Sequence, residues 1–123
     1  MHLGVGNFFR SHLAFYTDRF LRNEHGHDDA KAPSWMIHGV GLLDHPAEAQ
    51  LHADLASQDL VYGLLSMPSG DARAIGSLAE LTHTPSSPAA TQAALAAIAA
   101  PTTRIVSSTV TEKGYCHDPN SEH

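Results

Sequence analysis

A single cysteine, Cys116, excludes any internal disulfide framework. Lysine and arginine together number only seven against thirteen acidic residues, and the formal charge of -6 argues against a nucleic-acid or anionic-membrane partner. No window approaches the roughly 18 apolar residues that a membrane helix needs. The start, Met1-His2-Leu3-Gly4-Val5-Gly6, lacks the basic and then apolar run of a signal peptide, so a cytoplasmic setting is expected. Ten histidines invite a metal, yet there is no H-E-x-x-H and no Cys or His pair at ligand spacing. His25-Gly26-His27-Asp28-Asp29 reads as a solvated polar loop, and no metal is expected.

What is present is ordinary globular material. At 42% hydrophobic and 16% charged, the 123 residues can bury a core. That length is one domain or a piece of one, too short for both nucleotide-binding halves of a complete dinucleotide fold. Residues 1–5 read as a strand stub, with hardly three residues ahead of Gly4 where about five are usual. Both ends read as cuts.

Apolar side chains at Phe8, Phe9, Leu13, Tyr16, Phe20 and Leu21 recur at helical spacing, which predicts one helix over 7–22 with Asn7 as its N-cap. A polar loop over 23–34 leads to the apolar run 35–43, the pattern of a buried parallel strand. A helix over 46–57 follows, with Pro46 suited to its first turn. Segments 60–65 and 73–78 flank the turn residues Pro68-Ser69-Gly70-Asp71 and predict a hairpin. Residues 89–100 favour a helix ended by Pro101, and 104–110 is β-branched and reads as a last strand. The order β-α-β-α-β-β-α-β implies an α/β fold: part of a Rossmann-type dinucleotide-binding domain, its sheet mostly parallel with a hairpin insertion.

Gly4-Val5-Gly6-Asn7-Phe8-Phe9-Arg10 stands where the first strand hands over to the first helix. A pyrophosphate can rest on a helix N-terminus, where unpaired N–H groups and the positive end of the dipole face it. The first glycine permits the tight turn, and the second lets the backbone approach the phosphates. The third glycine of G-x-G-x-x-G is replaced by Phe9, so the loop is a two-glycine match that an ordinary strand-to-helix turn could also produce. The carboxylate expected about 20 residues on is displaced by the polar loop; Asp44 is the nearest, as ribose ligand or as N-cap of the next helix.

The stretch His2 to His12 is similar to the G-x-G-x-F-x-R-x-H signature of the long-chain mannitol dehydrogenase family. The resemblance continues through Tyr16-Thr17-Asp18, Trp35, Gly39-Val40-Gly41-Leu42, Gln58-Asp59-Leu60-Val61-Tyr62 and Ile75-Gly76-Ser77. Its most specific block is Thr109-Val110-Thr111-Glu112-Lys113-Gly114-Tyr115-Cys116, a T-x-T-E-x-G-Y pattern. The resemblance implies the N-terminal part of an NAD-binding domain serving hydride transfer between NAD and a polyol or ketose such as mannitol and fructose. Fructuronate or tagaturonate reduction within the same family is the alternative, and a non-catalytic nucleotide-binding module is the alternative of another class.

The family's catalytic lysine, with an asparagine and a histidine, lies in a C-terminal helical domain this chain does not contain, and the family uses no metal. Gly4, Val5, Gly6, Asn7, Phe8, Phe9 and Arg10 fall on its pyrophosphate loop, and Glu112 matches a glutamate tied to proton movement near its active site. Two departures matter. Many members carry His at the position of Phe9, and the family's NAD-selecting Asp aligns nearer Pro46 than Asp44. The absence of arginine between Leu42 and Ala53 still disfavours a 2′-phosphate, so NAD is expected ahead of NADP. His12 belongs to the signature too, and Cys116 reads as a small residue at a strand end, with no base beside it to make it a nucleophile.

Overall fold

The computed structural model describes residues 1–24, 35–67 and 69–110. The elements run β1 (His2–Leu3), α1 (Asn7–Ser11), α2 (Leu13–Glu24), β2 (Ile37–Gly41), α3 (Pro46–Ser57), β3 (Tyr62–Leu65), β4 (Ala72–Ile75), β5 (Leu78–His83), a 3-10 turn (Thr84–Ser86), α4 (Pro88–Ala99) and β6 (Ser107–Ser108). Strands β5, β2, β1 and β6 lie side by side in that order, all parallel, while β3 and β4 pair antiparallel as a separate hairpin. Setting the hairpin aside, the parallel strands stand in the order 3-2-1-4. This is the start of the doubly wound dinucleotide-binding order, in which the chain switches direction across the sheet beside the first strand. The α/β class and the hairpin insertion hold as expected from the sequence.

One strand escaped the sequence reading. The expected 73–78 strand ends at Ile75, and a new strand begins at Leu78 in a different sheet. The cause lies in the two residues between. Gly76 donates its N–H to Asp18 Oδ1 at 2.8 Å, and the wholly buried Ser77 donates its hydroxyl to the Ala14 carbonyl at 2.7 Å. Both bonds pull the chain off the hairpin and onto α2, so that Leu78 enters the parallel sheet beside β2. The five residues after Leu78 carry two large polar side chains and no long apolar run, since β5 is an edge strand exposed along part of its length.

The first helix also departs from expectation. It is broken at His12, whose φ of -119° and ψ of -82° leave the helical region. Ser11 Oγ donates to the Asn7 carbonyl at 2.8 Å and His12 Nδ1 lies 3.1 Å from the Phe8 carbonyl, local bonds that compete with the helical ladder. The N-cap is Gly6, in extended conformation, and not Asn7, which is already helical. Asn7 Oδ1 is instead taken by the Arg10 guanidinium. The expected strands 35–43 and 104–110 shorten to Ile37–Gly41 and Ser107–Ser108.

The core gathers Val5, Phe9, Ala14, Ile37, Leu55 and Ile75 between the sheet, the first helices and the hairpin. His2 is buried in β1, stacked on Phe9 with ring centroids 4.4 Å apart; its ring nitrogens meet Ser107 Oγ at 2.9 Å and Thr109 Oγ1 at 3.2 Å. One imidazole thereby ties β1 to the β6 segment, and burial, then the N-terminal charge, hold it below its usual pKa.

Candidate functional site

The glycine loop leaves β1 on the carboxyl side of the sheet, where parallel α/β sheets bind their ligands. Gly4 has φ +95°, in the region open to glycine, and its N–H is held by the Val40 carbonyl at 2.7 Å. Gly6 caps α1 with no side-chain hydrogen bond. The first N–H groups of α1 have no partner within the helix itself, as at any helix start. A β-carbon added at Gly4 or Gly6 would meet nothing within 4 Å. The space that the two missing side chains leave is thus open to a ligand.

Arg10 braces this loop from behind. Its Nη1 donates to the Val5 carbonyl at 3.1 Å and its Nη2 to Asn7 Oδ1, while its own carbonyl accepts from Tyr62 Oη at 2.6 Å. Burial lifts the Tyr62 phenol to about 12, against the opposing pull of Arg10 and with a further push from Asp18, so the hydroxyl stays a donor at neutral pH. Tyr62 fixes the loop from the hairpin, 52 residues away, and spacing alone gave no signal of it.

The loop faces a cleft of about 350 Å³, lined by Val5, Gly6, Asn7 and Arg10 on one side and by Leu43, His45 and Glu48 on the other, with Ala47 and Leu51. Of the residues expected at the pyrophosphate, these four from the loop reach the cleft. Phe9 does not present its side chain: it is 1% exposed and fills the core beneath the loop, where the usual fingerprint has a glycine. Phe8 is exposed and stacked on His12 at 4.2 Å. Asp44 is exposed and does not line the cleft, and it is not the cap of α3: His45 is, accepting from the Ala47 N–H at 3.1 Å. Glu112 and Cys116, like the His25 to Asp29 loop, lie outside the described residues.

Sequence reasoning passed over Glu48, which lines the cleft, and His52, which is buried beside it on α3. Both hang over Gly41 at the end of β2, where an added β-carbon would lie 2.3 Å from His52 Nε2 and 2.6 Å from Glu48 Oε1. His52 is buried and its Nε2 has no hydrogen-bond partner. Burial, with the neighbouring His83 second, holds it below the usual pKa, and Glu48 opposes them. A periodicity reading of α3 could have flagged His52, which lies one helical turn before the buried Leu55 and one after Glu48.

A second and larger cavity, about 470 Å³, gathers Met1, Trp35, Ile37, Glu80, Arg104 and Ile105 near the amino ends of the strands. We place the candidate site in the smaller cleft, because it alone of the two combines the glycine loop with the carboxyl ends of β1 and β2. Among the described residues no group of three or more His, Cys, Asp or Glu could hold a metal, and no helix is long and apolar enough to cross a membrane.

Strand order and glycine loop together define a Rossmann-type α/β segment. The comparisons narrow this. No family model matches the chain. It is similar to the polyol:NADP oxidoreductase of Gluconobacter oxydans, 40% identical over 118 residues, which cover 94% of this chain and 22% of that protein. It is 38% identical to a mannitol 2-dehydrogenase of Pyricularia oryzae over 123 residues, 98% of this chain and 22% of that protein. Among solved structures it matches the Pseudomonas fluorescens mannitol 2-dehydrogenase ternary complex with NAD and D-mannitol, with a TM-score of 0.72 at 37% identity, over 94% of this chain and 22% of that one. Over nearly its whole length the chain is similar to mannitol 2-dehydrogenases and related polyol dehydrogenases. It spans 22% of the length of the relatives it matches.

Proposed function

We propose that this chain supplies the dinucleotide-binding loop of a polyol dehydrogenase, with the pyrophosphate resting on Gly4, Gly6, Asn7 and the first turn of α1. The observation that carries the reading is the open space at Gly4 and Gly6, set at the carboxyl end of β1 in a 3-2-1-4 sheet. The residues fit the group: helix-start N–H groups for the phosphates, a braced arginine beside them and a carboxylate across the cleft. Bound there, the nicotinamide would supply the hydride for a secondary alcohol or its ketone. This chain's own part is to hold and orient, and the lysine-centred proton chemistry that the family resemblance implies falls to residues beyond these.

NAD is the reading we favour over NADP. A carboxylate, Glu48, lines the cleft, no arginine stands between Leu42 and Ala53, and one structural relative holds NAD with D-mannitol. The G. oxydans relative bears NADP in its name, so both cofactors belong in the test. The relatives carry mannitol and polyol names, which favours a mannitol or fructose type of substrate ahead of a uronate. The test is direct binding. Ligand-observed NMR with NAD should show saturation transfer to the wild-type chain, and Gly6→Val, whose branched side chain would fill the cradle, should abolish it while leaving the circular dichroism spectrum intact. Equal transfer to both proteins would sink the reading.

A further inference from the structure

The seam between α2 and the β3–β4 hairpin carries a charge pattern that the cofactor cleft does not use. Phe15, Asp18, Arg19 and Arg22 recur at the spacing of one helical face. With Arg73 and Ala74 of β4 they line a cavity of about 490 Å³. A second cavity of about 520 Å³, sharing Phe15, Arg19 and Arg73, continues it towards Ser11 and His12. Three of the seven Lys and Arg residues of a chain with net charge -6 therefore stand on one groove. None of the residues lining it lines the glycine-loop cleft.

The carboxylate among these arginines is already paired. Asp18 is buried and accepts from Arg22 Nε at 2.6 Å, from Arg22 Nη2 at 3.3 Å and from the Gly76 N–H at 2.8 Å. Arg22 Nη2 also donates to the Ala74 carbonyl at 2.9 Å. These bonds fix the Arg22 guanidinium and leave its Nη1 with no partner among the described residues. Arg19 and Arg73 likewise have no ion pair there, the two salt bridges being Arg22 with Asp18 and His38 with Glu80. Asp71, the other carboxylate on the groove, lines only the second cavity. Arg19 and Arg22 are three residues apart on a helix, where like charges repel, and Arg73 brings a third cation from β4. An anion among them relieves that repulsion, and the planar guanidinium fork suits phosphate oxygens.

We propose that this groove is an anion site, separate from the glycine loop, that takes a phosphate monoester. Arg19, Arg73 and Nη1 of Arg22 donate to the phosphate oxygens, and the half-buried Phe15 lines the floor beside them. A phosphate monoester carries close to two negative charges at neutral pH, which matches the two guanidinium groups that Asp18 does not neutralise. A carboxylate would answer only one of them.

The experiment titrates inorganic phosphate into the isotope-labelled 123-residue chain at pH 7.5, with chloride holding the ionic strength constant. Saturable shifts are expected at the amides of Arg19, Arg22, Arg73 and Ala74 and at the arginine Nε–H groups. Arg19→Gln and Arg73→Gln should each weaken binding roughly fivefold, and the double variant by at least about tenfold. Both positions are exposed, so the fold should persist by circular dichroism; should one variant unfold, the other decides. Arg22 is left intact because it anchors Asp18. Phosphate that binds the glycine loop instead moves Gly4 to Arg10, survives the double variant and is lost in Gly6→Val. Shifts confined to that loop, shifts reproduced by chloride alone, or a double variant that binds as tightly as wild type would overturn the site. Acetate binding as tightly as phosphate would overturn the phosphate class.

Discussion

Gly41→Ala offers the sharpest test of how the cleft wall is built. The new β-carbon would sit 2.3 and 2.7 Å from two atoms of the His52 ring and 2.6 Å from Glu48 Oε1, all below any normal contact. Glu48 is flexible and can swing into the cleft. His52 cannot retreat so easily, being buried with His83 behind it. Forcing one carbon into such a place costs about 1–3 kcal/mol. Against that, alanine restricts the unfolded chain and returns about 0.4–1 kcal/mol where the backbone angles suit it. A net loss of about 1–2 kcal/mol is expected, which lowers the melting temperature by roughly 5–10 °C for a domain of this size. The assay is urea unfolding followed by far-ultraviolet circular dichroism, repeated in a His52→Ala background. There the obstacle is gone and Gly41→Ala should be neutral or slightly stabilising, a coupling of about 1–3 kcal/mol. An equal loss in both backgrounds would refute the packing described here.

Phe9→Ala should be the most damaging single truncation near the loop. It empties a wholly buried ring site stacked on His2, and a loss of about 3–5 kcal/mol by denaturant titration is expected; a loss under 1 kcal/mol would place Phe9 outside the core. Asp18→Ala removes the acceptor of the Gly76 N–H and the partner of Arg22, and should cost about 1–2 kcal/mol while loosening the hairpin from α2. Stability should fall on acidification from pH 7.5 to 5. His2, His38 and His52 are each held below the ordinary 6.5, by burial first, so the unfolded chain binds more protons between their lowered values and 6.5. Their contribution is complete above that range and is lost as the pH drops through the lowered values. Melting curves at fixed ionic strength should show the slope, and His52→Leu should flatten it; a flat wild-type profile contradicts the buried imidazoles. Finally, the 123-residue chain alone is expected not to reduce fructose with NADH, and measurable turnover by it would contradict the assignment of the proton chemistry to other residues.

Much of this was legible before any coordinates. The helix Pro46–Ser57 falls where Pro46 and the following pattern put it, and Pro88–Ala99 is displaced by one residue. Local signals of that kind, a proline at the first turn and an alanine-rich run, are written in adjacent residues. The strand Leu78–His83 was not, because what begins it is a pair of hydrogen bonds from Gly76 and Ser77 to α2, some 60 residues earlier in the chain. The break at His12 likewise depends on side chains that compete with a helical ladder the periodicity otherwise supports. At the site, the glycine loop was visible as a motif, while its brace at Tyr62 and the wall residue Glu48 come from distant segments. Asp44 drew attention by being the first carboxylate after β2; the cap at His45 turns the chain so that the next one, Glu48, faces the cleft.

On the proposed function, a dinucleotide lies across the loop after β1 and the wall made by the start of α3. Backbone amide chemical shifts of the isotope-labelled chain, recorded as NAD is added, test it most directly. Weak binding is expected, with the shifts gathered at Gly4 to Arg10 and at Leu43 to Leu51 and little change around Met1, Trp35 and Arg104. No shifts at millimolar NAD, or shifts gathered instead at that second cavity, would contradict it.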